Sequence, residues 1–144
     1  MDVQLSPATE EDLPFARALT RRTMLPYYTR FDLFWQDDAF DEAWHWRENL
    51  KVRKGGDTLG FISLSTDAGA LYIRELHLIE AARGRGAGGQ VLEYVIALAA
   101  ERRISRLRLM VFRTNPAQAL YRRKGFEVVG EDDCFLRMER ATLR

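Results

Sequence analysis

Arg83-Gly84-Arg85-Gly86-Ala87-Gly88-Gly89 separates an apolar strand-like run, Leu71 to Ile79, from a helix-like run, Gly88 to Arg102. A strand feeding a glycine-rich loop that opens a helix makes an anion cradle. The first helical N–H groups lack internal partners, the helix dipole adds partial positive charge, and glycine lets a phosphate approach the main chain. The ligand expected at this loop therefore carries phosphate.

Reading outward, Val3-Gln4-Leu5 is a short first strand, and Thr9 caps a helix with acids in its first turn. Leu13, Ala16, Leu19 and Thr20 recur at helical spacing and predict a helix to about Met24. Asp37 or Asp38 caps a second helix carrying Phe40, Trp44 and Arg47. Three strands follow, at about 49–54, 58–65 and 71–79, joined by hairpin-like turns at Gly55-Gly56-Asp57 and Thr66-Asp67-Ala68-Gly69. Strict alternation in the third puts Leu71, Ile73, Glu75, His77 and Ile79 on one face and Tyr72, Arg74, Leu76 and Leu78 on the other. Both faces carry apolar residues, so this strand is expected to be central and covered on both sides.

Beyond the loop, the helix buries Val91, Leu92, Val95, Ile96 and Ala99. A strand over 106–112 follows and is expected to run parallel to the strand before the loop, since a helical crossover permits that pairing. Asn115 as N-cap, Pro116 at the first helical position and Gly125 just past the end punctuate another helix. Strands at about 126–130 and 135–139 close the chain as a hairpin, with Cys134 read as a small buried strand residue. The order β-α-α-β-β-β-α-β-α-β-β describes a mixed sheet flanked by helices.

The chain has 144 residues, 47% of them apolar and 30% charged. That suits one soluble globular domain, 1–144, and excludes disordered or fibrous classes. The net charge of +1 gives no global reason to expect nucleic acid or a membrane. The charge is uneven: residues 1–50 hold five Arg against ten acids, giving −5, and residues 51–144 hold seventeen Lys and Arg against eleven acids, giving +6. This asymmetry reads either as an acidic side for a cationic substrate and a basic side for phosphates, or as scatter over a solvated surface. One cysteine excludes an internal disulfide and suits a reducing compartment. The start of the chain lacks a secretory pattern, and the longest apolar helix candidate, broken by Glu93, is too short to span a bilayer, so a cytoplasmic location is expected. His45 and His77, far apart and without a Cys pair, do not form a metal-ligand spacing, so no metal is expected.

Three phosphate-loop readings compete. A P-loop needs Lys-Ser or Lys-Thr after its last glycine, whereas Gly89 is followed by Gln90-Val91. The dinucleotide fingerprint is met literally by Gly84, Gly86 and Gly89. The next strand, however, lacks the ribose-binding acid, and too little chain remains beyond it for a second nucleotide-binding half. The third reading fits better. Arg83-x-x-Gly86-x-Gly88, behind a strand and opening a helix, resembles the acyl-CoA loop of the GNAT N-acetyltransferases. Asn115-Pro116-Ala117-Gln118-Ala119-Leu120-Tyr121-Arg122-Arg123-Lys124-Gly125-Phe126 is similar to that family's second signature, in the right order and separation.

The resemblance implies an α/β (α+β) fold: a mixed, mostly antiparallel six- or seven-stranded sheet with a splayed parallel pair, flanked by about four helices. It implies that acetyl-CoA is the co-substrate. Its diphosphate would rest on main-chain N–H groups of Arg83, Gly84, Arg85, Gly86, Ala87, Gly88 and Gly89, and its pantetheine would lie like an added strand along Leu76, His77 and Leu78. Asn115, Ala119 and Tyr121 complete the cofactor side, and Arg122 or Arg123 could reach the 3′-phosphate. Tyr121 occupies the position of the general acid for the departing thiolate. Glu75 lies where many relatives carry the carboxylate that deprotonates the amine, often through water. The plainer readings are a core aromatic for Tyr121 and an ion pair for Glu75.

The family's acceptor pocket usually lies between the first two helices and their loop. Here that region is rich in aromatics, and Tyr28, Phe31 and Trp35, with Glu75, are the candidate substrate-binding residues. The same aromatics could instead be core or a dimer contact. Two function classes follow: transfer of an acetyl group from acetyl-CoA to a small-molecule or peptide amine, or a non-catalytic CoA-binding regulatory module on the same fold. Dimers are common among relatives, and the sequence leaves the oligomeric state open, as it does the acceptor.

Overall fold

The structure, a computed structural model, describes residues 2–142. Seven strands run as β1 Gln4–Pro7, β2 Glu48–Lys54, β3 Asp57–Asp67, β4 Ala70–Leu78, β5 Arg106–Phe112, β6 Glu127–Glu131 and β7 Phe135–Ala141. Four helices, α1 Leu13–Arg30, α2 Asp37–His45, α3 Ala87–Glu101 and α4 Gln118–Arg123, pack on the sheet. The strand order is β1-β2-β3-β4-β5-β7-β6, and only β4 and β5 pair in parallel. This matches the sequence expectation, with β4 at the centre.

Two apolar layers hold the sheet from either side. On one face Val91, Leu92, Val95 and Ala99 of α3 pack with Leu71, Ile73, Leu107, Leu109 and Met138. On the other, Leu13, Ala16 and Leu19 of α1 and Phe40 and Trp44 of α2 close over Phe61. Burying a side chain of this size stabilises by roughly 1.5–3 kcal/mol, so these layers dominate the fold's energetics. The bidentate pair from Arg102 Nη1 and Nη2 to Glu48, both 2.8 Å, ties the end of α3 to β2, and it holds the Glu48 carboxyl below its ordinary pKa.

The strict alternation expected in β4 fails at one point. Ser63 pairs with Glu75 but Leu64 pairs with Ile73, so Arg74 is an extra residue, a β-bulge. Because side chains alternate with period two, one inserted residue reverses every later side chain. Leu71 and Ile73 face α3, and so do Leu76 and Leu78. Glu75 and His77 still share a face, but it is the face of α1 and α2, where His77 lies 5.8 Å from the Phe61 ring.

Pairing between β4 and β5 runs from Ala70↔Arg106 to Ile73↔Leu109 and then stops. The bulge follows at once, bends β4 away, and leaves the edges of Leu76–Leu78 and Met110–Phe112 apart.

Two other expectations change. Helix α1 continues beyond Met24 to Arg30, through Pro26. A proline inside a helix removes a hydrogen bond, and here packing compensates. Tyr27 and Phe31 stack on Phe112 at 5.3 and 5.6 Å. Cys134 lies half-buried in the turn before β7, where Asp132 Oδ1 accepts from its N–H at 2.8 Å, rather than buried within a strand.

Candidate active site

The gap between the diverging strands is a cavity of about 910 Å³. Leu76, His77 and Leu78 line one side, and Leu109, Met110, Val111 and Phe112 line the other. The outer edge of β4 here has no strand partner among the described residues, while its inner edge pairs with β3 through Ile62, Phe61 and Gly60. An extended ligand with alternating amide donors and acceptors fits such an edge.

At one end of the cavity stands the glycine loop. Gly84 and Gly86 have φ of +74° and +84°, a left-handed conformation natural to glycine. Among the described residues, the N–H groups from Gly86 to Gly89 meet no acceptor within the protein, and the first bond into the helix runs from Gln90 N–H to Gly86 at 3.1 Å. These unclaimed amides at the start of a long helix suit a diphosphate. Gly88 and Arg83 lie on the cavity wall. The Arg83 guanidinium is partly committed, donating to the Leu78 carbonyl at 3.0 Å and to Thr23 Oγ1 at 3.3 Å. Gly86 and Gly89 face a second hollow of about 560 Å³, beside Arg123 and Lys124.

Replacing Gly86 by alanine tests the loop conformation by itself, because no atom lies within 4 Å of the Cβ it would gain. The positive φ alone should cost about 1–2 kcal/mol. A thermal scan is expected to show a midpoint lowered by roughly 3–6 °C.

Tyr121 and Glu75 approach the cavity from opposite faces of the sheet. Tyr121, only 9% exposed, packs edge-on against Phe126 at 5.9 Å within the α3-side core. Burial first, and the charge of Glu75 second, push its hydroxyl up to about 12. Helix α4 presents it after a turn in which Asn115 Oδ1 accepts from the Ala117 N–H at 2.9 Å. The chain then leaves the helix through Gly125, with Phe126 N–H returning to the Tyr121 carbonyl at 3.0 Å. The helix proper begins at Gln118, later than Pro116, because the first turn closes with tighter three-residue bonds.

Glu75 is held on two sides. Its Oε1 lies 2.8 Å from His77 Nε2, and its Oε2 lies 3.5 Å from Arg47. A carboxylate accepts and the Nε2–H tautomer of His77 donates in such a pair, so the contact can hold the orientation of Glu75. Arg47 comes from the segment between α2 and β2. Burial pushes its guanidinium below its ordinary pKa, with Glu75 opposing.

Of the candidates read from sequence, Leu76, His77, Leu78, Arg83, Gly88, Asn115, Tyr121, Tyr28 and Glu75 converge on the main cavity. Gly84, Arg85, Ala87 and Ala119 are not on its wall. Phe31 and Trp35 stand behind that wall: Phe31 against Phe112 and Trp35 against Tyr28, at 5.7 Å. Sequence reasoning missed Thr20, Arg74 and Phe112. Thr20 is 1% exposed, and its hydroxyl has no partner among the described residues. Phe112 joins Tyr27, Tyr28, Phe31 and Phe135 in one aromatic cluster. Among the described residues no cluster of His, Cys, Asp and Glu could hold a metal, and no helix is long and apolar enough to cross a membrane.

Solved structures share this fold. The PaiA N-acetyltransferase from Thermoplasma acidophilum, solved in complex with coenzyme A, is 19% identical over 98% of this chain and 99% of its own, with a TM-score of 0.77. The ribosomal-protein-S18-alanine N-acetyltransferase from Escherichia coli is 19% identical over 97% of this chain and 94% of its own, at 0.79. An acetyltransferase from Thermus thermophilus is 20% identical over 98% and 97%, at 0.77. At these identities the likeness establishes the fold. No curated protein sequence matches the chain. The model of the acetyltransferase (GNAT) family matches residues 15–126, which include most of the cavity wall, the glycine loop and the Tyr121 helix, and on that match the chain belongs to the GNAT family.

Proposed function

We propose that the protein is an acetyl-CoA-dependent N-acetyltransferase acting on a primary amine by direct transfer within a ternary complex. The observation that carries this reading is convergence on one cavity: an unpaired strand edge, the helix mouth reaching its wall at Gly88, and Glu75 and Tyr121 on opposed faces. Bound acetyl-CoA supplies the thioester whose carbonyl carbon the amine attacks. The amides of residues 84–89 hold the diphosphate end, and the β4 edge aligns the linear arm. Glu75, oriented by His77, takes a proton from the incoming ammonium, directly or through water. Tyr121, protonated at any physiological pH, donates a hydrogen bond to the departing sulphur.

A non-catalytic CoA-binding module uses the same loop and strand edge but has no need for Glu75 or Tyr121. Release of free thiol from acetyl-CoA across an amine panel separates the two, because binding without turnover would favour the module. Glu75→Gln preserves shape and removes the base. It is expected to lower kcat/KM about 100-fold at neutral pH. The deficit should shrink as pH rises, because solution then supplies the neutral amine that Glu75 otherwise generates. A pH series on both enzymes checks this, and a deficit constant with pH would count against Glu75 as base.

A further inference from the structure

Around Glu75 positive charge outnumbers negative, with Arg74 on the cavity wall and Arg47 off it. Glu75 is flanked by Arg47, at 3.5 Å, and by Arg74, the bulge residue, which lines the cavity. Arg74 is held in place: its Nε donates to Ser65 Oγ at 2.7 Å, and its guanidinium lies 4.0 Å over the Tyr72 ring. Stacking and one fixed hydrogen bond restrict the fork beforehand. Both of its Nη groups are left without a protein acceptor among the described residues. The Arg47 guanidinium has only Glu75 as partner among those residues, and its burial leaves that charge under-solvated. Two guanidinium groups against one carboxylate repel a polycation and attract an anion. The wall beside them is aromatic, formed by Tyr27, Tyr28, Phe112 and Phe135 with Met110.

We propose that the acceptor is a free α-amino acid with an aromatic or large apolar side chain, its carboxylate received by Arg74 in the field of Arg47, its amine at Glu75, and its side chain against Tyr27, Tyr28 and Phe112. This rests on the N-acetyltransferase reading. Planar carboxylate and guanidinium match in a bidentate pair. The bulge sets Arg74 and Glu75 on the same face of β4, and both line the cavity, so a carboxylate and an amine of one small molecule can address them together.

The test compares L-phenylalanine, L-phenylalaninamide, phenethylamine and spermidine by thiol release from acetyl-CoA. L-Phenylalanine is expected to exceed its amide by about 10- to 100-fold in kcat/KM. Arg74→Gln should remove that preference by lowering L-phenylalanine alone, and Arg74→Lys should restore part of it. Calorimetry of L-phenylalanine with the CoA-bound protein gives a readout independent of turnover, and binding should weaken by a similar factor in Arg74→Gln. Arg74 is exposed, so these variants should fold. Preference for spermidine, phenethylamine or the amide, which stands in for a peptide N-terminus, overturns the acceptor assignment and leaves the transferase intact. An equal fall for acid and amide in Arg74→Gln also overturns it. Silence with every amine, while CoA still binds, overturns both readings.

Discussion

Tyr121→Phe is expected to lower kcat by about 10²–10³-fold while leaving coenzyme A affinity within about twofold. The substitution removes one oxygen and keeps the ring, so the edge-on contact with Phe126 at 5.9 Å and the surrounding core persist. Burial pushes the hydroxyl's pKa up to about 12, which bears on the proposed role. A group so raised stays a donor throughout the working range. Full transfer of its proton to a thiolate of ordinary pKa, about 8.5, would run uphill by about 5 kcal/mol. On the proposed mechanism Tyr121 would therefore stabilise charge at sulphur as it develops, by hydrogen bonding, and solvent would supply the proton to the released thiol. That interaction is stronger in the transition state than in the bound substrate, so its loss should appear in kcat rather than in binding.

The same shift has a linkage consequence with a defined sign. The folded pKa lies above the unfolded value, near 10, so Tyr121's contribution to stability is complete below pH 10 and declines as pH rises toward 12. The activity profile should accordingly show no alkaline limb owed to Tyr121 below about pH 11. Single-turnover thiol release, with calorimetry of coenzyme A alongside, measures both quantities. Undiminished turnover in Tyr121→Phe would remove this residue from the chemistry and leave it as core.

The parts of the site legible in sequence are those built from neighbouring residues. The loop of residues 83–89 and the turn-helix of Asn115 to Phe126 carry their geometry in glycine positions, a cap and a proline, all local signals. The parallel pairing of β4 and β5 followed from the intervening helix. What sequence could not show was set by contacts between distant segments. The bulge at Arg74 depends on register against Ser63 and Leu64. Nothing in Leu71–Leu78 read alone announces it, and it decides that Glu75 faces α1 and α2 while Leu76 faces α3. Helix α1 passes Pro26 because Phe112, far along the chain, receives Tyr27 and Phe31. Arg47, expected on α2, lies beyond that helix and reaches Glu75 only because β2 returns beside β3. The aromatic segment after Pro26 divides between roles: Tyr28 on the cavity wall, Phe31 and Trp35 behind it.

Gly60→Ala is expected to be the most destabilising small substitution in the sheet, by about 3 kcal/mol or more. Gly60 pairs with Leu78 across β3 and β4, and its φ is ordinary, so conformational freedom is not the reason for glycine. Space is the reason. A Cβ there would collide with the His77 carbonyl oxygen and lie 2.9 Å from both the His77 carbonyl carbon and Leu78 Cα. These are main-chain atoms, and no rotamer change relieves the overlap. The strands must separate, and the atoms displaced belong to the same stretch of β4 whose far edge borders the cavity. Stability and coenzyme A affinity should therefore fall together, whereas Gly86→Ala disturbs the loop without touching β4. Gly56→Ala is the control, since no atom lies within 4 Å of its added carbon and its φ is not positive. It should change stability by less than about 0.5 kcal/mol. Urea midpoints for the two variants decide the matter: if Gly60→Ala unfolds where Gly56→Ala does, β3 and β4 do not approach this closely, and the placement of His77 and Leu78 beside the cavity fails with it.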